Sequence, residues 1–206
     1  MRDQLRIELD SGVFALFDGA LLRAAGPEGP KAQAKECAGI TRQHPGNEVN
    51  VAQILLLNGP NLNLLGKREP QLYGPDTLAA VEKHLSNLAK QMGHELEAFQ
   101  HNHEGGLIDR IQKAGADGTA IMIFNPGGYT HTSIALRDAL LAVALPFIEV
   151  HISNPYRREH FRRHSYFTDI AAGCISGCGT LGYELALMAA VRRLGAQAAT
   201  PSGTQH

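Results

Sequence analysis

The chain has 206 residues, 44% of them hydrophobic, which suits one globular domain with a sizeable core and room for an appendage. A formal net charge of -1 excludes a global field that would pull the chain onto nucleic acid or an anionic membrane. The three cysteines, Cys37, Cys174 and Cys178, form no C-x-x-C pair, so the expectation is no disulfide framework and a reducing, cytoplasmic setting.

No apolar run reaches the ~18–20 residues needed to span a bilayer. Near the N-terminus, VFALFDGALL is interrupted by Asp18 and lacks the basic leader and cleavage site of an export signal. Residues 24–48 are rich in Ala, Gly and Pro with little periodicity. Residues 1–50 are therefore expected to be a weakly ordered extension, with 51–196 forming the main domain and 197–206 a flexible tail.

From residue 51 the pattern sharpens. Gln53–Leu57 reads as a buried strand entering a Gly/Pro/Asn loop. Asp76 is placed to cap a helix whose Leu78, Val81, Leu85, Leu88 and Met92 follow helical spacing. Glu95–His101 reads as a second strand and Gly106–Ala114 as a short helix. TAIMIFN, residues 119–125, is a continuous apolar run, as expected of a strand covered on both faces. Thr132–Val143 reads as a helix capped by Thr130 or Thr132, Phe147–His151 as a fourth strand and Ile170–Ser176 as a fifth. Thr180–Leu194 is the last helix. Five strands alternating with helices imply an α/β fold, a parallel sheet with right-handed crossovers and helices on both faces. Ligands in such sheets bind beyond the strand carboxyl ends, where the polar loops 58–75, 125–131 and 151–167 all fall.

The first loop, NGPNLNLLGKREPQLYG, is long for a strand-to-helix link, and long links in compact domains are often functional. It carries Arg68 and Tyr73. A tyrosine, with a reference pKa of about 10, is a poor base at neutral pH, but a nearby guanidinium favours the phenolate. A turn in which the ring packs on the arginine is the plain alternative. The second loop, NPGGYTHTSIALRDAL, offers Asn125 at a strand end, glycines that let a ligand approach the backbone, and His131 at a helix start. Arg137 and Asp138, farther along that helix, read as a surface pair.

The third loop, EVHISNPYRREHFRRHSYF, packs four arginines, three histidines and two glutamates. Nucleic acid, a metal or a small anion are all open as its partner. Strand alternation puts Glu149 and His151 on one side, so the carboxylate can orient the imidazole or favour its protonated form, which suits a general acid. Ile152 and Ser153 add backbone amides and a hydroxyl, and Arg162 a planar fork. His101-x-His103 and His160-x-x-x-His164 have ligand spacing, yet neither has an obvious partner set, and no functional metal is expected. GCGTLG, residues 177–182, matches G-x-G-x-x-G, but the chain runs out before a dinucleotide site could be completed. Tight strand–helix packing is the reading of those glycines. With no tryptophan and balanced charge, nucleic acid is not expected as a partner.

Together the three loops resemble the signatures of type II 3-dehydroquinate dehydratase, over about residues 52–195, in family order and spacing. The resemblance implies a flavodoxin-like three-layer sandwich that uses no cofactor and dehydrates 3-dehydroquinate to 3-dehydroshikimate, in aromatic amino-acid biosynthesis or quinate catabolism. It implies Tyr73 as the base, Arg68 as the cation that stabilises charge, Asn61 as the holder of a water against the enolate oxygen, and His151 as the acid, partnered by Glu149. It implies Asn125, His131, Ile152, Ser153 and Arg162 as the substrate-holding set, and Asp138 as a carboxylate reaching a neighbouring subunit's site. It also implies a homo-oligomer, a dodecamer built from trimers. The alternative is a non-catalytic flavodoxin-like module that binds an anion or a nucleotide.

Overall fold

The computed structural model describes residues 51–66 and 76–198. Within them, β1 (Gln53–Asn58), β2 (Glu95–Gln100), β3 (Thr119–Asn125), β4 (Phe147–His151) and β5 (Gly173–Ser176) form one parallel sheet in the order β2-β1-β3-β4-β5. Four helices accompany them: α1 (Leu78–Gln91), α2 (Glu104–Ala114) and α3 (Ile134–Val143) link the first four strands in turn, and α4 (Leu181–Ala198) follows β5, while 3-10 turns join β4 to β5. The strand order reverses direction after β2, so α1, which precedes the reversal, covers one face, and α2 and α3, which follow it, cover the other.

Side-chain alternation along the strands divides the core in two. Ile54, Leu56, Ile121, Ile123, Ile148 and Val150 point to one face, where Leu78, Val81, Leu85 and Ala89 of α1 and Ala186, Leu187 and Ala190 of α4 cover them. Leu55, Leu57, Met122, Phe124 and Phe147 point to the other, against Leu107 and Ile111 of α2 and Leu136 and Leu140 of α3. The result is the expected three-layer sandwich. Each fully buried Leu, Ile or Phe contributes about 1.5–3 kcal/mol, so the central strands β1 and β3, apolar on both sides, anchor the sheet.

The element ends differ from expectation for local reasons. Thr77, not Asp76, caps α1, its hydroxyl accepting from the Ala80 amide at 3.2 Å, while Asp76 accepts a hydrogen bond from Thr180 Oγ1 at 2.8 Å. Ser133, not Thr130 or Thr132, caps α3 by accepting from the Leu136 amide at 2.9 Å. Thr130 is occupied elsewhere, donating to the Gly127 carbonyl at 2.7 Å. His131 therefore ends a 3-10 turn, Gly127–His131, and does not start the helix. Helix α2 begins at Glu104, two residues before Gly106, with its acid in the first turn where the helix dipole favours it. β5 is shorter than expected, because the Ile170 and Ala171 amides bond back to the Phe167 carbonyl in a turn. Arg68, Tyr73 and the extension 1–50 lie outside the described residues. Among those described, no helix is long and apolar enough to cross a membrane.

Candidate active site

The carboxyl ends of β1, β3 and β4 open into one cavity of about 280 Å³. Two loops cross there at backbone distance. The Gly59 amide donates to the Asn125 carbonyl at 2.8 Å. A Cβ on Gly59 would sit 2.3 Å from the Pro126 carbonyl oxygen, so only glycine fits the crossing. Gly127, at φ 59°, takes a left-handed turn against Pro60. This close approach brings Asn61 of the first loop and Gly128 of the second to the same wall.

Asn125, the last residue of β3, is buried, and both ends of its amide are engaged. Its Nδ2 donates to the Tyr183 hydroxyl at 2.7 Å, and its Oδ1 accepts from the Gly127 amide at 3.2 Å. The second Nδ2 hydrogen is the one left for a guest. Tyr183, fully buried on α4, passes its own proton to Asn58 Oδ1 at 2.8 Å. Burial pushes the Tyr183 phenol well above its ordinary value, so it stays a neutral donor. The chain ends at Glu82, whose carboxylate receives Asn58 Nδ2 at 3.4 Å.

His151 and Glu149 share one side of β4, as alternation requires. His151 Nε2 lies 2.8 Å from Glu149 Oε1. Glu149 is fully buried, and burial by itself raises a carboxyl pKa. Hydrogen bonds from His151, from Ser165 Oγ at 2.7 Å and from Thr168 Oγ1 at 2.5 Å outweigh that, so Glu149 is held below its ordinary value and stays ionised. A fixed carboxylate on Nε2 orients the ring and, among the described residues, leaves Nδ1 without a partner to act on a guest in the cavity that His151 lines. His131, opposite, bonds through Nδ1 to the His164 carbonyl at 2.7 Å. Burial, first, and the nearby Arg162, His151 and Arg158 charges push its pKa down despite the carbonyl, so a neutral ring presents Nε2.

Ile152, Ser153 and Arg162 complete the lining. Arg162 Nε is braced by Glu159 Oε2 at 3.0 Å. Arg158, four residues earlier, also lines the cavity and was not singled out from sequence, where it was one of four arginines in a run. No carboxylate lines the cavity among the described residues, which hold two arginines and two histidines there. The GCGTLG glycines serve this site more than strand–helix packing. A Cβ on Gly182 would meet Ile175 and Val150 at ordinary contact distances of 3.7 and 3.8 Å. The Gly177 and Gly179 amides instead hold the His151 and Ile152 carbonyls at 3.1 and 3.0 Å. Asp138 is exposed on α3 and does not line the cavity of its own chain. Nor does it pair with Arg137, which forks onto Asp169, with Nη2 2.8 Å from Oδ2.

Metal chemistry fits the donors poorly. Among the described residues, Glu149, His151 and Cys174 are the one group of three ligand-type side chains close enough to share an ion, within 4.8 Å. Both Glu149 oxygens already accept hydrogen bonds, and burial, then the Glu149 charge, raise the Cys174 pKa and disfavour the thiolate a metal needs. His101 turns its Nδ1 back onto the His103 backbone.

The sequence profile of the family described as "Dehydroquinase class II" matches residues 52–191. The chain belongs to the class II dehydroquinase family. Among its relatives, the 3-dehydroquinate dehydratase of Bordetella avium is 63% identical over 139 residues, covering 68% of this chain and 96% of that protein. The 3-dehydroquinate dehydratase of Polynucleobacter asymbioticus is 59% identical over 143 residues, covering 69% and 96%. In structure, the type II dehydroquinase of Butyrivibrio crossotus superposes with a TM-score of 0.67 at 43% identity, covering 69% of this chain and 98% of that one. The family match thus spans the sheet and every described residue that lines the cavity, and begins at residue 52.

Proposed function

We propose that the chain eliminates water from 3-dehydroquinate to give 3-dehydroshikimate through an enolate, as a hydro-lyase of its family. The observation that carries this is the cavity rim itself. A histidine braced by an ionised, buried glutamate faces a pocket lined by two arginines and a neutral histidine, with no carboxylate among the described lining residues. That arrangement suits a small hydroxylated anion and a proton donor for its leaving group.

The route assigns each group a proton or a charge. Tyr73, assisted by Arg68, removes a proton from the carbon beside the ketone. A carbon acid of this kind is far weaker than any side-chain acid, so the enolate must be stabilised as it forms. Asn61 does this by holding a water against the enolate oxygen. His151 then protonates the departing C1 hydroxyl, the C–O bond breaks, and water leaves as the double bond forms. Asn125, His131, Ile152, Ser153 and Arg162 hold the substrate. The roles of Tyr73 and Arg68 rest on their match to the family's loop.

The same reading extends to assembly and setting. A homo-oligomer is supported by the apolar Ile134 and Leu141, 58% and 52% exposed on the helix that carries Asp138; its size, a dodecamer built from trimers, rests on the resemblance to the family. Asp138 then serves a neighbouring subunit's cavity. The enzyme works in the cytoplasm, on the biosynthetic or the catabolic branch of quinate chemistry, and without a cofactor. The test is direct: 3-dehydroquinate is added in the presence of a chelator, and ultraviolet absorbance of the conjugated enone is followed. A rise supports the reading, and ligand binding with no rise leaves a non-catalytic binding module.

A further inference from the structure

We infer that Asn102 is a positioning residue for the elimination, acting through Asn61; the inference rests on the role proposed for Asn61. Asn102 lies in the link between β2 and α2 and does not line the cavity. Its side-chain oxygen accepts the Asn61 backbone N–H at 2.9 Å and Gln100 Nε2 at 3.0 Å. Gln100 Nε2 also donates to the Gly59 carbonyl at 3.2 Å. The Asn102 backbone carbonyl accepts the Tyr129 hydroxyl at 3.1 Å. One residue thus ties the loop after β1 to the loop after β3 from outside the cavity. Two N–H donors converge on Asn102 Oδ1, which settles the orientation of its amide, because the flipped form would face donors with a donor.

Asn61 needs such a tie. It sits at φ 67°, ψ −4°, the left-handed region that a side chain other than glycine rarely adopts. Asparagine tolerates that region better than most residues, but tolerance leaves other conformations open. The conformation opens the 3-10 turn Leu62–Leu64, with the Leu64 amide on the Asn61 carbonyl at 3.0 Å. No hydrogen bond from the Asn61 side chain caps that turn. Among the described residues, the backbone N–H held by Asn102 is the one hydrogen bond that ties Asn61 to a residue outside its own turn, and it holds Asn61 at the cavity it lines. Loss of the acceptor lets Asn61 relax to a commoner conformation and withdraw from the reacting oxygen. The enolate, and with it kcat, is affected more than ground-state binding, which the arginines and His131 supply.

Steady-state turnover of 3-dehydroquinate by four variants tests this. Asn102→Ala is expected to lower kcat about fivefold to tenfold, the scale of one lost hydrogen bond, with KM little changed. Asn102→Asp keeps an acceptor oxygen and is expected to retain most of kcat, its added charge showing in KM. In an Asn61→Ala background, Asn102→Ala should cost little more, since the residue it positions is gone. Asn102→Ala with wild-type kcat, Asn102→Asp as impaired as Asn102→Ala, or effects that multiply independently with Asn61→Ala would each overturn the inference. Asn61→Ala with wild-type kcat would instead overturn the role of Asn61 itself, and the inference with it.

Discussion

At Glu149, burial and hydrogen bonding pull one carboxyl in opposite directions, and hydrogen bonding wins. Its pKa is lower in the folded chain than in the unfolded one. The stabilisation is therefore complete above the ordinary glutamate value of 4.5 and is lost as pH falls through the folded value. Urea unfolding at a series of acid pH values should show this loss, and Glu149→Gln should flatten it; an equally steep acid limb in the variant would contradict the assignment. Tyr183 is the other residue whose neighbours decide its worth. Tyr183→Phe strands the Asn125 amide hydrogen and Asn58 Oδ1 in the core, and should cost about 1–3 kcal/mol in chemical denaturation. Unchanged stability would mean that the chain of hydrogen bonds through Asn58 carries little. The sequence made the Glu149–His151 pair legible, because strand period alone puts residues two apart on one side. Tyr183 was not legible, since its partner Asn58 lies 125 positions away and nothing in GYELAL marks a polar contact. Arg158 was hidden differently. Four arginines in seven residues look alike until the 3-10 turns Pro155–Arg157 and His160–Arg162 aim Arg158 and Arg162 at the cavity.

Whole elements were read more securely than their ends. TAIMIFN could be only a buried strand, and residues 121–125 are indeed buried throughout. Helix starts failed where several hydroxyls sit together. Thr130 and Thr132 were the candidates in sequence, and the 3-10 turn before the helix gives the cap to Ser133 instead. The β5 start failed because Ile170 and Ala171 are apolar for a turn as well as for a strand. The strand order was beyond periodicity altogether, as it depends on which crossover packs on which face. The crossing of the first and second loops is a property of this scale. Gly59→Ala would push a methyl into the Pro126 carbonyl, and neither backbone can yield without moving Asn61 or Asn125. A loss of about 1–3 kcal/mol in thermal or chemical unfolding is expected, with reduced kcat. Full activity and stability would show that the loops do not need so close an approach.

For the molecule as a whole, the family match begins at residue 52, and the two-sided core of the described residues lies almost wholly within it. A chain starting at residue 51 should therefore keep kcat within about twofold of the full chain, since it retains the family match and every described residue that lines the cavity. A large loss would give the extension a part in the chemistry. Three segments far apart in the chain meet at the cavity, and in the proposed reaction His151 hands a proton to a guest held by its neighbours. His151→Ala tests it most directly, with turnover of 3-dehydroquinate and affinity for an unreactive substrate analogue measured on the same protein. In this variant kcat should fall by about 10²–10⁴, the usual worth of a positioned acid, with analogue affinity largely kept. Turnover at the wild-type rate in this variant would contradict it.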